Sequence, residues 1–256
     1  MSTSERGSAA ASRGDGSLFE SFDAWADLLR SVDATAGRQG PSPGGPRPDA
    51  LHYRPTLRSP MALVHVVDDG SEEGETFRMR EGLLTIGRSE GDIVIPHDIS
   101  MSPRHACIER FATGGWQLSD LESAGGTFVR VTTARLKHGS VIQLGRTRLC
   151  FQLLDLTEAW LVELQPDDQG QRHECHAPAT SIGRAGGGCE IALDDPFVSP
   201  THAMVRRGPQ GWRIENTGMN GLWVRIEAPV KMNAPSQFQC GEQRFVFVPC
   251  GWTASG

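Results

Sequence analysis

The sequence predicts an all-β protein, two β-sandwiches in tandem, preceded by a short amphipathic helix and a Pro/Gly-rich linker. Three observations carry this prediction. From Met61 onward the chain consists of short strand-like runs punctuated by turn residues. A composite pattern then occurs twice: Gly87-Arg88, Ser102-Pro103-Arg104-His105 and Ser123-Ala124-Gly125-Gly126-Thr127, followed by Gly183-Arg184, Ser199-Pro200-Thr201-His202 and Gly218-Met219-Asn220-Gly221. The copies stay in step, with Arg88 and Arg184 96 positions apart, Ser102 and Ser199 97, His105 and His202 97, and Gly126 and Gly221 95. A period of about one hundred residues is too long for a solenoid and indicates two similar domains. Finally, 256 residues suffice for two separate cores.

In chain order, residues 1–60 form a flexible N-terminal segment. Within it Ser17-Leu18-Phe19-Glu20 fits a capping box, and Leu18, Phe22, Trp25 and Leu29 recur at helical steps, predicting a helix over 17–31. So short a helix is not stable alone, so its apolar stripe is expected to dock on the protein's own domains, on a partner or on a second subunit. Residues 34–60 read as a linker because Gly40-Pro41-Ser42-Pro43-Gly44-Gly45-Pro46 removes amide donors. The first sandwich, 61–155, contains runs at 62–67, 76–80, 83–86, 93–95, 106–110, 116–118, 127–131, 141–144 and 147–153. The second, 156–256, repeats them at 160–164, 172–176, 181–182, 191–193, 203–207, 212–215, 222–226 and 244–248. Only Asp155-Leu156-Thr157-Glu158 separates the two sets, which predicts closely spaced domains.

Each copy resembles the forkhead-associated (FHA) domain, a module that reads phosphothreonine in partner proteins. The resemblance covers roughly residues 60–250, and the three spaced elements together are far more specific than any one of them. It implies that Arg88 and Arg184 hold the phosphate, that Ser102 and Ser199 add a hydroxyl donor, and that Asn220 grips the partner backbone. Ser123 and Thr127 complete the expected phosphopeptide-binding set. The histidines, His105 and His202, are implied to brace the loops from behind, with Gly87, Gly126, Gly183 and Gly221 shaping the turns. The chemistry suits the residues, because a phosphate dianion needs a fixed positive charge and several short hydrogen bonds, and a guanidinium supplies both. Arg104 adds a second guanidinium in the first copy, where the second offers neutral Thr201. Both copies depart from the family pattern in the third element. The first carries Gly125 where Asn is usual, and the second carries Gly218 and Leu222 in place of Ser and Thr.

The remaining composition narrows the function. A net charge of −6 and a pI near 5.8 disfavour nucleic-acid binding. No apolar run is long enough to span a membrane, and Met1–Gly16 lacks the apolar core of a secretory signal, so a cytoplasmic location is expected. Six cysteines without Cys-x-x-Cys spacing read as reduced core residues. In His173-Glu174-Cys175-His176 the potential metal ligands alternate across a strand, and no nucleophile motif occurs, so neither metal, cofactor nor catalytic residue is expected. The expected function is a phosphothreonine-dependent adaptor in Ser/Thr kinase signalling, whose partners are phosphothreonine-containing proteins, a kinase or its substrate among them. The alternative is a phosphate-independent scaffold built from degenerate FHA-like domains.

Overall fold

The computed structural model describes residues 61–67, 74–155, 158–165 and 170–250, and the expected helix over 17–31 and linker over 34–60 lie outside them. Alternation of apolar and polar residues makes the strands. In β1 (Ala62–Val66), Ala62, Val64 and Val66 are buried while Leu63 and His65 are half-buried, the period of a strand with one face inward. The first copy continues with β2 (Thr76–Met79), β3 (Leu83–Gly87), β4 (Ile93–Val94), β5 (Ala106–Arg110), β6 (Trp116–Asp120), β7 (Thr127–Val131), β8 (Thr133–Leu136), β9 (Val141–Leu144) and β10 (Thr147–Leu153). The second gives β11 (Ala159–Glu163), β12 (Arg172–Cys175), β13 (Ala179–Arg184), β14 (Ile191–Leu193), β15 (Ala203–Gly208), β16 (Gly211–Asn216), β17 (Leu222–Arg225), β18 (Val230–Lys231), β19 (Ser236–Cys240) and β20 (Gln243–Pro249).

These strands assemble into one ten-stranded sheet, β12-β11-β10-β9-β17-β7-β19-β20-β1-β2, faced by two five-stranded sheets, β14-β13-β15-β16-β8 and β18-β6-β5-β3-β4. The copies exchange their last three strands. β18 pairs with β6, β19 with β7 and β20 with β1, so the second copy's C-terminal strands complete the first sandwich. Reciprocally, β8 pairs with β16, β9 with β17 and β10 with β11. The cores follow the pairing. Met232, Phe238, Cys240, Phe245 and Phe247 pack with Val64, Ile86, Ile108 and Trp116, whereas Leu136, Ile142, Leu144, Leu149 and Phe151 pack with Leu161, Val205 and Trp212. The divisions 61–155 and 156–256 therefore mark the sequence copies, and each spatial core draws on both.

The connection from β7 to β8 explains the exchange. It consists of Thr132 alone, and the tightest strand reversal needs two central residues. A single residue advances the chain by about 3.3–3.6 Å. Unable to turn back, the chain runs on into the neighbouring sandwich, where the Thr132 carbonyl accepts the Asn216 N–H at 2.8 Å. The first core is then left to be closed by β18–β20, and each of the buried Phe238, Phe245 and Phe247 contributes roughly 1.5–3 kcal/mol there.

β7 and β17 pair antiparallel at the middle of the long sheet, with Phe128 opposite Arg225, Val129 opposite Val224 and Arg130 opposite Trp223. The register repeats under interchange of the copies, so a pseudo-twofold axis passes between Val129 and Val224. Beside the axis the buried Gln143 and Gln239 bond reciprocally. Gln143 Nε2 donates to Gln239 Oε1 at 3.2 Å, and each also donates to the carbonyl two residues on, Gly145 or Gly241.

Among the described residues no helix is long and apolar enough to cross a membrane. All six cysteines are free, but only Cys175 and Cys240 are buried, while Cys250 is exposed. The expectation of six core cysteines is corrected to two. His173 Nε2 lies 2.9 Å from Glu163 Oε1.

The interlocked strands predict behaviour that two separate beads would not show. With a protease site placed at 156–157 and cut under native conditions, the halves should elute together on gel filtration and part only in denaturant. Fragments that separate without denaturant would contradict the exchange.

Candidate functional site

In each sandwich three loops meet at one end: β3 to β4, β4 to β5 and β6 to β7 in the first, and β13 to β14, β14 to β15 and β16 to β17 in the second. Strand pairing and a few fixed hydrogen bonds bring the motif residues together. In the first sandwich the Arg88 N–H donates to the Ser102 carbonyl at 2.9 Å, and the Ala124 N–H donates to Ser102 Oγ at 2.9 Å. The second repeats this through Arg184 to Ser199 at 2.9 Å and Met219 to Ser199 Oγ at 3.3 Å. Gly87 permits the approach, because a Cβ there would collide with the Pro103 carbonyl; Gly183 stands likewise against Pro200. The β3–β4 loop is clasped from below. Thr85 donates its N–H and hydroxyl to Asp92 Oδ2 at 2.7 and 2.8 Å, and Ser181 does the same to Glu190 Oε2 at 2.7 and 3.1 Å.

The two histidines are fully buried between loops. His105 Nδ1 accepts the Ser102 N–H at 3.0 Å, so the proton sits on Nε2, which donates to the Gly126 carbonyl at 3.2 Å. His202 makes the same pair of bonds, from the Ser199 N–H at 2.9 Å and to the Gly221 carbonyl at 3.1 Å. Each ring thus ties the serine-bearing loop to the third loop. Burial lowers the pKa of both below the ordinary value, outweighing the bond to the carbonyl.

The third element differs between the copies in a connected way. Asp120 accepts Ser123 Oγ–H and Thr127 Oγ1–H, each at 2.6 Å, and the Ser123 N–H at 3.0 Å. In the second copy these three become Asn216, Gly218 and Leu222, so the donors and their carboxylate are lost together. Asn216 donates to the Gly218 carbonyl at 3.0 Å, and its Oδ1 is buried without a partner among the described residues.

The predicted residues separate accordingly. Arg88 is half-buried and Arg104 exposed, and neither side chain donates a hydrogen bond among the described residues; Arg88 is tied to Ser102 through its backbone, and Arg104 follows Ser102 by two positions. Arg184 is exposed beside Ser199. Thr127, expected to touch a ligand, is instead fully buried with its hydroxyl committed to Asp120, so it supports the loop from within. Ser123 donates its hydroxyl hydrogen bond to the same carboxylate. Asn220 donates to the Phe197 carbonyl at 2.7 Å, linking two loops of its own sandwich.

Two aspartates that sequence reasoning missed hold the exchanged hairpins to these loops. Asp98 Oδ2 accepts the Glu242 N–H at 2.8 Å, and Asp195 Oδ2 accepts the N–H groups of Arg146 and Thr147 at 2.6 and 3.0 Å. Burial pushes the Asp195 carboxyl up, but bonds from Phe197, Arg146 and Thr147 prevail and leave it below its ordinary value. Asp98 and Asp195 recur 97 positions apart, the offset of the Ser and His pairs, and that spacing was the signal available in the sequence.

Comparison with known proteins finds a family-model match in each copy. The family model of the FHA domain matches residues 84–145. That of the cytoplasmic domain of the inner membrane component of T3SS matches residues 164–251. The glycogen accumulation regulator GarA of Mycobacterium tuberculosis is 30% identical over 95 residues, 36% of this chain and 58% of that protein. The chain thus spans less than two thirds of that relative's length. The oxoglutarate dehydrogenase inhibitor of Corynebacterium glutamicum is 29% identical over 129 residues, 49% of this chain and 82% of that protein. Among solved structures, an FHA domain from Chlamydia trachomatis aligns over 73% of this chain and 95% of its own, at 15% identity and a TM-score of 0.34. EmbR of Mycobacterium tuberculosis, solved with a low affinity phosphopeptide, aligns over 77% of this chain and 26% of its own, at 13% identity and a TM-score of 0.35.

The buried histidines set a pH dependence. Their folded pKa values lie below the unfolded value of about 6.5, so below that pH the unfolded chain binds more protons than the folded one. Stability is fully present above about pH 6.5 and is lost as pH falls through the folded values. The melting temperature should decline from pH 7 to pH 5, and a variant with both histidines replaced by Gln should start lower and decline less steeply. An unchanged slope in that variant would contradict the assignment.

Proposed function

Because the chain is a tandem FHA-domain protein, we propose that its first loop cluster binds phosphothreonine and that the protein is a cytoplasmic, non-enzymatic adaptor in Ser/Thr kinase signalling. The observation that carries this reading is the convergence of Arg88, Arg104 and Ser102 on loops anchored by His105 and Asp92. A phosphothreonine carries about −1.5 to −2 charges at neutral pH, and two guanidinium groups match that charge. Fixed loops matter as much, because donors already in place lose little freedom when the ligand arrives. Partners are phosphothreonine-containing proteins, a kinase or its substrate among them. The names of the relatives, a regulator and an inhibitor, fit control through binding.

The second copy has a different part in this reading. Arg184 and Ser199 keep their places, but Asp120, Ser123 and Thr127 have no counterparts of the same type, and Thr201 stands in place of Arg104. Its strands β18–β20 close the first core. We therefore assign the second copy a mainly structural role, with at most weak phosphate binding of its own.

Titration calorimetry with paired phosphothreonine and threonine peptides tests the proposal. Only the phosphorylated peptide should bind. Arg88→Ala should weaken binding at least about tenfold, the loss of a charge-assisted bond, while the melting temperature stays nearly unchanged. Arg184→Ala should have a much smaller effect. Equal binding of both peptides would favour the phosphate-independent scaffold instead.

A further inference from the structure

The pseudo-twofold axis creates a feature that neither sandwich possesses alone. Between the two loop clusters lies a groove of about 610 Å³, floored by the buried Gln143 and Gln239 and lined by Arg146, Arg148 and Arg244, with Glu242 as its carboxylate. Three guanidinium groups and one carboxylate line it, while the carboxylates of Asp98 and Asp195 beside it are taken up by backbone N–H groups of the lining segments. The arginines are oriented by what they rest on. Arg148 lies 4.9 Å above the ring of Phe128 and donates Nε–H to Gln143 Oε1 at 3.0 Å. Arg244 lies 5.0 Å above Trp223, and Arg146 5.9 Å from Phe197. A guanidinium seated on a ring offers its edge N–H groups to a ligand. Among the described residues the Nη atoms of Arg148 and the side chain of Arg146 donate no hydrogen bond.

The groove is continuous with the first loop cluster. Gly125 occupies the family's Asn position, and nothing in its backbone demands glycine, since a Cβ there would meet only ordinary contacts: the Ser100 carbonyl at 3.5 Å and Arg148 Nη1 at 3.8 Å. The rim is open, and the group that reaches it is the guanidinium of Arg148, carried on β10 of the exchanged hairpin. We propose that this groove takes acidic side chains flanking the phosphothreonine, making Arg148, with Arg146 and Arg244, the determinant of peptide selectivity at the first site. The inference rests on the phosphothreonine reading above and adds a partner class to it, acidic peptide segments. The groove far exceeds one phosphate in size, and Arg148 and Arg244 already cover the rings of the buried Phe128 and Trp223. An extended acidic chain fits both features.

The test uses the full chain and fluorescein-labelled peptides followed by anisotropy: one phosphothreonine peptide with Ala on both sides, and one with three Glu on each side. The acidic peptide should bind roughly tenfold more tightly at low salt, and most of that advantage should vanish at 0.5 M salt, an ionic strength of roughly three times the physiological value. Arg148→Gln should bring the two peptides to within about twofold of each other while the Ala-flanked peptide binds as before. Arg146→Gln, on an exposed side chain where folding is not at stake, should remove part of the advantage. Equal affinity of the wild-type protein for both peptides would overturn the groove and leave the phosphothreonine reading standing. An advantage that survives in Arg146→Gln and in folded Arg148→Gln would overturn the assignment to these residues. No binding of either peptide would overturn both readings.

Discussion

The structure depends on Thr132, a single residue joining a strand of one sandwich to a strand of the other. A chain cannot reverse across one residue, so the first copy gives its last three strands to the second sandwich and the second copy has to return its own. From this constraint follow the continuous ten-stranded sheet, the pseudo-twofold axis and the arginine-lined groove upon it. It also couples the sandwiches energetically. Neither core can open without drawing on strands that belong, in sequence, to the other copy.

The two copies have kept their internal scaffolding and diverged where a ligand would meet them. His105 and His202 make matching bonds, as do the carboxylates of Asp98 and Asp195 on the exchanged hairpins. These groups are buried, and removing one partner would strand the other at a cost of about 1–3 kcal/mol. At the loop tips no such penalty operates. There Arg104 faces Thr201 across the repeat and Gly125 faces Asn220, whereas the Asp120 network, which reaches the buried Thr127, is the one internal set lost as a unit.

Much of this was legible in the sequence. Strands such as β1 and β5 were found because alternation of buried and exposed residues is written directly into Ala62–Val66 and Ala106–Arg110. β8, β18 and β19 were not. β8 and β18 are short and carry Arg135 and Lys231, and β19, Ser236-Gln237-Phe238-Gln239-Cys240, mixes apolar and amide side chains because Gln239 is buried against Gln143 at the axis and not in an apolar core. The exchange itself left no local trace, since a strand's pattern is the same whichever sandwich receives it. The loop motifs name Arg88 and Ser102, which one backbone hydrogen bond joins, yet Thr127, polar and beside a turn, gave no sign that its hydroxyl would be sealed inside on Asp120. Arg148 was invisible for a further reason: it reaches the rim of the first cluster from β10, which belongs to none of the motifs or loops but to the exchanged hairpin.

Hydrogen exchange on a Phe247→Ala variant tests the exchange most directly. Phe247 belongs to the second copy in sequence but packs edge-on against Trp116 of the first, with ring centroids 5.4 Å apart. Protection should fall at the amides of Ala106–Arg110 in the first copy and remain at Ala203–Gly208 in the second. The reverse pattern, with protection lost at Ala203–Gly208 and kept at Ala106–Arg110, would mean that each copy closes its own sandwich and would contradict the account.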